Sequence, residues 1–194
     1  MNRSILEFWK SKGHIQNFIA PTTNNSNDMP EGFDIIQKIS DIIGDRFLVE
    51  IGCGYGRLCT SVNDDKYYGY DINNTSINNA KSKYPNYKFE LLSEDTIIVK
   101  SDIVMAYTVG LHIHDDDILA FIKKYTANTK AFIMAEIMDI KWPKNPNGTP
   151  PTFHRSPEEY EELFNSIGMT LKAKEDIPYT YYDNTNITIM EFTK

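Results

Sequence analysis

Between residues 46 and 138, short apolar runs alternate with stretches of helical periodicity, and no other feature limits the fold as strongly. RFLVEI (46–51), KYYGYD (66–71), YKFELL (87–92), DIVMAYTV (102–109) and KAFIMAEIM (130–138) read as strands. Helices are expected at about 55–62, at 73–83 before Pro85, and at 115–125, where acids fill the first turn. Strands separated by helices form βαβ units and a parallel sheet. Ser156, followed by Pro157 and two glutamates, opens another helix that Gly168 stops. The pattern then changes. Two strands, near MTLKAKEDI and NITIMEF, are joined by the helix-free segment 177–186, short enough for a hairpin. The last strand should therefore run antiparallel to the others. The expected fold is a doubly wound, Rossmann-like α/β sheet of seven strands, mostly parallel.

Upstream, residues 4–18 have roughly helical spacing broken by Gly13. Residues 21–30 (PTTNNSNDMP) are too polar to build a core, and FDIIQKISDII (33–43) repeats apolar residues at helical intervals before Gly44. This divides the chain into an N-terminal helical lid and linker, 1–32, and a body, 33–194. At 194 residues it supports one core and a single domain overall. No apolar run approaches a membrane span, and the N-terminus lacks the pattern of a signal peptide, so a cytoplasmic protein is expected. Cys53 and Cys59 fit no CxxC spacing and read as buried packing residues in a reducing compartment. A net charge of −7 argues against a broad nucleic-acid surface, though a small anion held by one or two local cations remains compatible with it.

The first strand runs into VEIGCGYGR, with glycines at 52, 54 and 56. In a doubly wound sheet this loop lies at the carboxyl ends of the strands, where ligands bind. Glycines let the backbone approach a ligand closely, and a helix after them would aim free N–H groups at it. The spacing differs from the G-x-G-x-x-G of dinucleotide folds, because the third glycine comes one residue early and Arg57 takes the sixth place. No lysine and Ser/Thr follow as in a P-loop. KYYGYD ends at Asp71, about 20 residues beyond the first glycine, where a carboxylate can take both hydroxyls of a ribose. The same acid could also cap the next helix.

Together VEIGCGYGR, YYGYDI and SDIVMAYTVGLHIHDDD resemble the class I S-adenosylmethionine-dependent methyltransferases, over about residues 33–194 and including the antiparallel last strand. The resemblance implies S-adenosyl-L-methionine as cofactor, with Glu50 as the motif acid and Gly52, Gly54 and Gly56 along its methionine and ribose. It gives Asp71 the ribose and places Ile72 under the adenine. One of Ser93, Glu94 and Asp95 meets the adenine amino group, and Tyr107 and Thr108 face the sulfonium. Arg57 either pairs with the cofactor carboxylate or faces solvent from a helix.

At the transferring end, His112 is the candidate catalytic base, or a residue that orders its loop. His112, His114 and Asp115 lack a further convergent ligand, so no metal is expected. The long segment after the fifth strand carries Trp142, Phe153, His154 and Arg155. Arg155 is a candidate clamp for a phosphate or carboxylate, or a surface partner of Glu158 or Glu159. Phe8, Trp9 and His14 form the other candidate wall. With the methyl transfer that the resemblance implies, the expected acceptor is small and polar, an anionic one included: a metabolite, a sugar or a nucleotide-linked intermediate, methylated on oxygen or nitrogen. Neither nucleic acid nor membrane is an expected partner. A nicotinamide-dependent oxidoreductase and a cofactor-binding protein without catalysis are the alternatives.

Overall fold

The computed structural model describes residues 3–14, 33–138, 144–179 and 185–194. The expected linker at 21–30, Trp142 and the turn after β6 fall outside them. Seven strands form one sheet: β1 (Leu48–Ile51), β2 (Tyr67–Asp71), β3 (Lys88–Leu91), β4 (Ile103–Tyr107), β5 (Ala131–Glu136), β6 (Thr170–Tyr179) and β7 (Thr185–Thr193). Their order is β3-β2-β1-β4-β5-β7-β6. Pairings among β1 to β5 are parallel, whereas β7 runs antiparallel to both β5 and β6.

The central strands are apolar throughout because both faces of the sheet are covered. All residues of β1, β4 and β5 are buried. On one face, helices α2 (Ile35–Ile43) and α3 (Asn74–Lys83) pack Ile35, Ile39, Ile43, Ile77 and Ala80 against Leu48, Tyr67, Met105 and Ile133. On the other, α4 (Asp115–Thr126) and α5 (Pro157–Asn165) pack Ile118, Ile122, Tyr160 and Phe164 against Val49, Val104 and Phe132. Helices α2, α3 and α5 start where the sequence offers a cap. Asp34 accepts the amides of Ile36 and Gln37, Asn73 that of Ser76, and Ser156 forms a capping box with Glu159. The N-terminal helix α1 (Arg3–Lys12) buries Ile5. None of the helices among the described residues is long and apolar enough to cross a membrane.

One expected helix does not form. After the glycine loop the chain makes successive tight turns, with Cys59 N donating to Gly56 O, Ser61 N to Leu58 O and Val62 N to Cys59 O. Only the three-residue 3-10 turns Cys59–Ser61 and Asp64–Lys66 result. The cause is a nearly contiguous buried run: Gly56 to Cys59, then Ser61 and Val62. A regular α-helix on a surface would turn part of that run to solvent. The loop therefore has no helix N-terminus behind it, and positive charge at this point comes from a side chain instead.

Candidate cofactor and acceptor site

The loop after β1 is tied to the end of β2. The amides of Gly52 and Cys53 both donate to the Tyr70 carbonyl, at 2.7 and 3.0 Å. Asp71 closes the arrangement: one carboxylate oxygen accepts the Gly54 amide at 2.8 Å and the other the Asn73 amide at 2.7 Å. Gly52 has φ of 77°, and a Cβ there would lie 2.4 Å from Val109 Cγ2. Gly54 has φ of 55°, and a Cβ there would meet nothing within 4 Å. The first glycine admits a neighbouring side chain, while the second leaves its space to whatever enters the cavity.

That cavity has a volume of about 900 Å³ and runs from the glycine loop across the ends of β2, β3 and β4 to α4, with α1 as its outer wall. Of the residues singled out in the sequence, Trp9, Gly52, Gly54, Asp71, Ile72, Glu94, Tyr107 and His112 line it, as do Ser93 and Thr108. Glu50, Gly56, Asp95, His14, His154 and Arg155 are not among the lining residues. Gly56 turns toward the rings of Phe89 and Tyr84. α1 is held in place by Asn73, whose side-chain amide donates to the carbonyls of Trp9 and Lys10 at 3.0 and 2.8 Å.

Arg57 occupies a different place from the solvent-facing helix position considered above. It is 6 % exposed, lines the cavity, and donates to the Tyr107 carbonyl at 3.1 Å and to Thr108 Oγ1 at 2.9 Å. Thr108 has φ of 55°, a rare conformation for a β-branched residue, and Arg57 holds it there. Behind Arg57, Glu50 is fully buried and accepts a hydrogen bond from the Tyr67 hydroxyl. Burial raises the Glu50 pKa to about 7, against the pull of Tyr67 and of the Arg57 charge. Its other oxygen and the Tyr107 hydroxyl are buried without hydrogen-bond partners among the described residues. Burial also raises the Asp71 pKa, opposed by the Asn73 and Gly54 amides and by Arg57.

His112 ends a 3-10 turn, Gly110–His112, between β4 and α4. Its Nδ1 lies 2.9 Å from the Pro151 carbonyl. A carbonyl only accepts, so Nδ1 carries the proton and Nε2 keeps its lone pair. The ring packs 4.4 Å from that of Trp9, and burial lowers its pKa to about 4. The imidazole is thus neutral near pH 7. His114 instead caps α4, accepting the Asp116 amide at Nδ1, and no cluster of three potential metal ligands forms among the described residues.

The placement of His154 and Arg155 corrects the expectation that they hold the acceptor. Both are buried, at 7 % and 4 % exposure, and neither reaches the cavity. His154 Nδ1 lies 3.2 Å from the Ile137 carbonyl, and Arg155 is engaged with residues 110–115 rather than with Glu158 or Glu159. Within the chain no feature of the sequence near Arg155 signals this. Arg57 carried a signal, since it directly follows the third glycine.

A scan against protein-family models finds no match, and a search of curated proteins likewise finds none. Solved structures do match. Magnesium protoporphyrin IX methyltransferase from Synechocystis PCC 6803, with bound SAM, superposes with a TM-score of 0.68 at 15 % identity, over 98 % of this chain and 95 % of that one. A SAM-dependent methyltransferase of the DUF858 family from Leishmania major gives 0.71 at 14 % identity, over 98 % and 82 %. The [4+2]-cyclase SpnF gives 0.64 at 14 % identity, over 81 % of each chain. The strand order, the antiparallel β7 and these superpositions agree: the chain has the fold of the class I S-adenosylmethionine-dependent methyltransferases.

Proposed function

We propose that the chain binds S-adenosylmethionine in this cavity and is a methyltransferase acting on a small molecule. The observation that carries the reading is the joining, in one cavity, of the Gly52 and Gly54 backbone, the Asp71 carboxylate, the Arg57 guanidinium and a neutral His112. These groups fit the cofactor's chemistry. Asp71 keeps lone pairs on both oxygens for two ribose hydroxyls, and Arg57 offers a cation to the carboxylate. Gly54 leaves room beside them, and Ile72 and Leu92 supply an apolar bed for a purine. Glu50 stands behind the loop, where its unpartnered oxygen suits an ammonium donor or a bridging water. A nicotinamide dinucleotide would seat its pyrophosphate on an α-helix N-terminus directly after the loop, and only 3-10 turns follow it here.

When bound, the cofactor supplies an electrophilic methyl group on a sulfonium. His112 accepts a hydrogen bond, and then a proton, at Nε2 from the acceptor atom. Its low pKa makes it a modest base, suited to an acceptor whose own proton is acidic. Trp9 and α1 cover this end and exclude water. The acceptor is a small molecule with an O–H or N–H group to methylate. The anionic group considered above loses its support once His154 and Arg155 lie outside the cavity. Titration calorimetry with S-adenosylmethionine, S-adenosylhomocysteine and NADH tests the cofactor assignment. Both sulfur nucleosides should bind and NADH should not, and the opposite pattern would overturn it.

A further inference from the structure

Three alternate residues of the segment 151–155, namely Pro151, Phe153 and Arg155, engage the short turn that presents His112. The Pro151 carbonyl takes the His112 ring at 2.9 Å, and the Phe153 amide donates to the Leu111 carbonyl at 2.6 Å. The Phe153 ring meets that of His114 edge-on, centroids 5.0 Å apart. Arg155 donates to the Gly110 carbonyl at 3.0 Å, and one nitrogen serves both the Ile113 carbonyl at 2.8 Å and Asp115 at 2.7 Å. One buried guanidinium therefore joins the start of the turn, its end and the first residue of α4. Asp115 is also held from outside by Lys144, at 2.8 Å.

Beneath this, the Tyr160 ring lies under the guanidinium, 5.9 Å away, and the Tyr160 hydroxyl donates to Glu136 at 2.7 Å. Glu136 faces the backbone amides of Gly110 and Leu111. There is no room for a side chain at residue 110, where a Cβ would lie 2.7 Å from a Glu136 oxygen and 2.8 Å from the Tyr160 hydroxyl. The turn is thus fixed on its inner side by β5 and α5 and on its outer side by residues 151–155. The guanidinium is buried but its partner Asp115 is 46 % exposed, so the ion pair adds little stability and the bonds to the two buried carbonyls set the geometry.

We infer that Arg155 is a positioning residue for His112: by fixing the turn against residues 151–155 it holds the ring on the Pro151 carbonyl, in the Nδ1–H tautomer, with Nε2 free for the acceptor. The inference rests on His112 having the role proposed above. Planarity makes arginine the residue for the task, since its nitrogens reach three oxygens in fixed directions. In free histidine the Nε2–H form is the commoner tautomer, which would leave no lone pair toward the acceptor. The brace reverses that preference without touching substrate.

The test is nitrogen NMR of the full chain labelled with 15N-histidine, which reads the protonation of each ring nitrogen and needs no acceptor. Wild-type His112 should show a protonated Nδ1 and an unprotonated Nε2 at pH 7. In R155M, checked for folding by circular dichroism and for retained S-adenosylhomocysteine binding, the His112 signals should move toward mixed tautomers. If R155M does not fold, R155K carries the same test, because an ammonium keeps the buried charge but cannot serve both carbonyls and Asp115 in the same geometry. An unchanged His112 signature in a folded Arg155 variant overturns the inference. A wild-type His112 protonated at Nε2 would instead overturn the base role, so the two failures are distinguishable.

Discussion

Substituting Asp71 by Asn tests the cofactor reading most directly, since the change is nearly isosteric and its two effects can be separated. Each oxygen of Asp71 accepts one backbone amide, from Gly54 at 2.8 Å and from Asn73 at 2.7 Å. An Asn amide must turn its NH₂ toward one of those N–H groups, leaving that amide facing a donor. This costs about 1–3 kcal/mol of stability. Ribose recognition is lost separately. A hydrogen bond to a charged group contributes about 1.5–3 kcal/mol, and the two hydroxyls share one carboxylate, so a loss of about 2–3 kcal/mol is expected on binding. That corresponds to a Kd weaker by roughly 30- to 150-fold. Calorimetry with S-adenosylhomocysteine and its 2′-deoxy analogue, on wild type and D71N, forms a double-mutant cycle that removes the effect on the loop. Wild type should prefer the ribose form about tenfold or more, and D71N should prefer it little. If D71N discriminates as well as wild type does, Asp71 serves only the backbone amides and the ribose assignment is wrong.

Three further outcomes are expected. H112A should lower kcat by about 10²–10⁴-fold on an acceptor that loses a proton, with little change in S-adenosylmethionine affinity; stopped-flow or radiolabel transfer assays measure both. G52A and G54A should differ: both place alanine at positive φ and lower Tm, the first by more because it also meets Val109 Cγ2, whereas the second should in addition weaken cofactor binding, read by thermal scans and calorimetry. E50Q should gain stability over wild type as pH rises from 5 to 8. Folding raises the Glu50 pKa from 4.5 to about 7, so its contribution is present below pH 4.5 and lost through pH 7, by roughly 3 kcal/mol. Thermal melts of both proteins across that range should show the gap opening in favour of E50Q, and a constant gap would mean that Glu50 titrates in the ordinary range.

Much of the architecture was legible because the parallel strands are buried on both faces and so appear as unbroken apolar runs, such as IVMAY in β4. The capping box of α5 was visible as Ser156, Pro157, Glu158 and Glu159 in succession. The segment 55–62 misled because its apolar content implies burial but its contiguity forbids an α-helix, and a periodicity argument weighs the first more than the second. Arg57 was ambiguous for the same reason: its direction depends on which kind of turn follows the glycines. His154 and Arg155 lie in the long segment after β5, but their hydrogen bonds run to Ile137 and to residues 110–115 instead of into the cavity. The partners of Arg155 are backbone carbonyls and an aspartate some forty residues upstream, which leave no local pattern. The tautomer of His112 depends on a carbonyl, and every residue has one.

The position of β7 also bears on how the chain is made. It lies between β5 and β6 and is hydrogen-bonded to both, so β6 has no neighbour in the sheet until residues 185–193 arrive. During synthesis from the N-terminus, β1 to β5 can pair as they emerge, but β5 is left with an open edge while α5 and β6 are still being added. That edge carries AFIMAE, an apolar segment that would pair with any exposed strand. The strand that completes the sheet is therefore also the one that protects it, and a nascent chain released before residue 193 would present both a bare β5 and an unpaired β6.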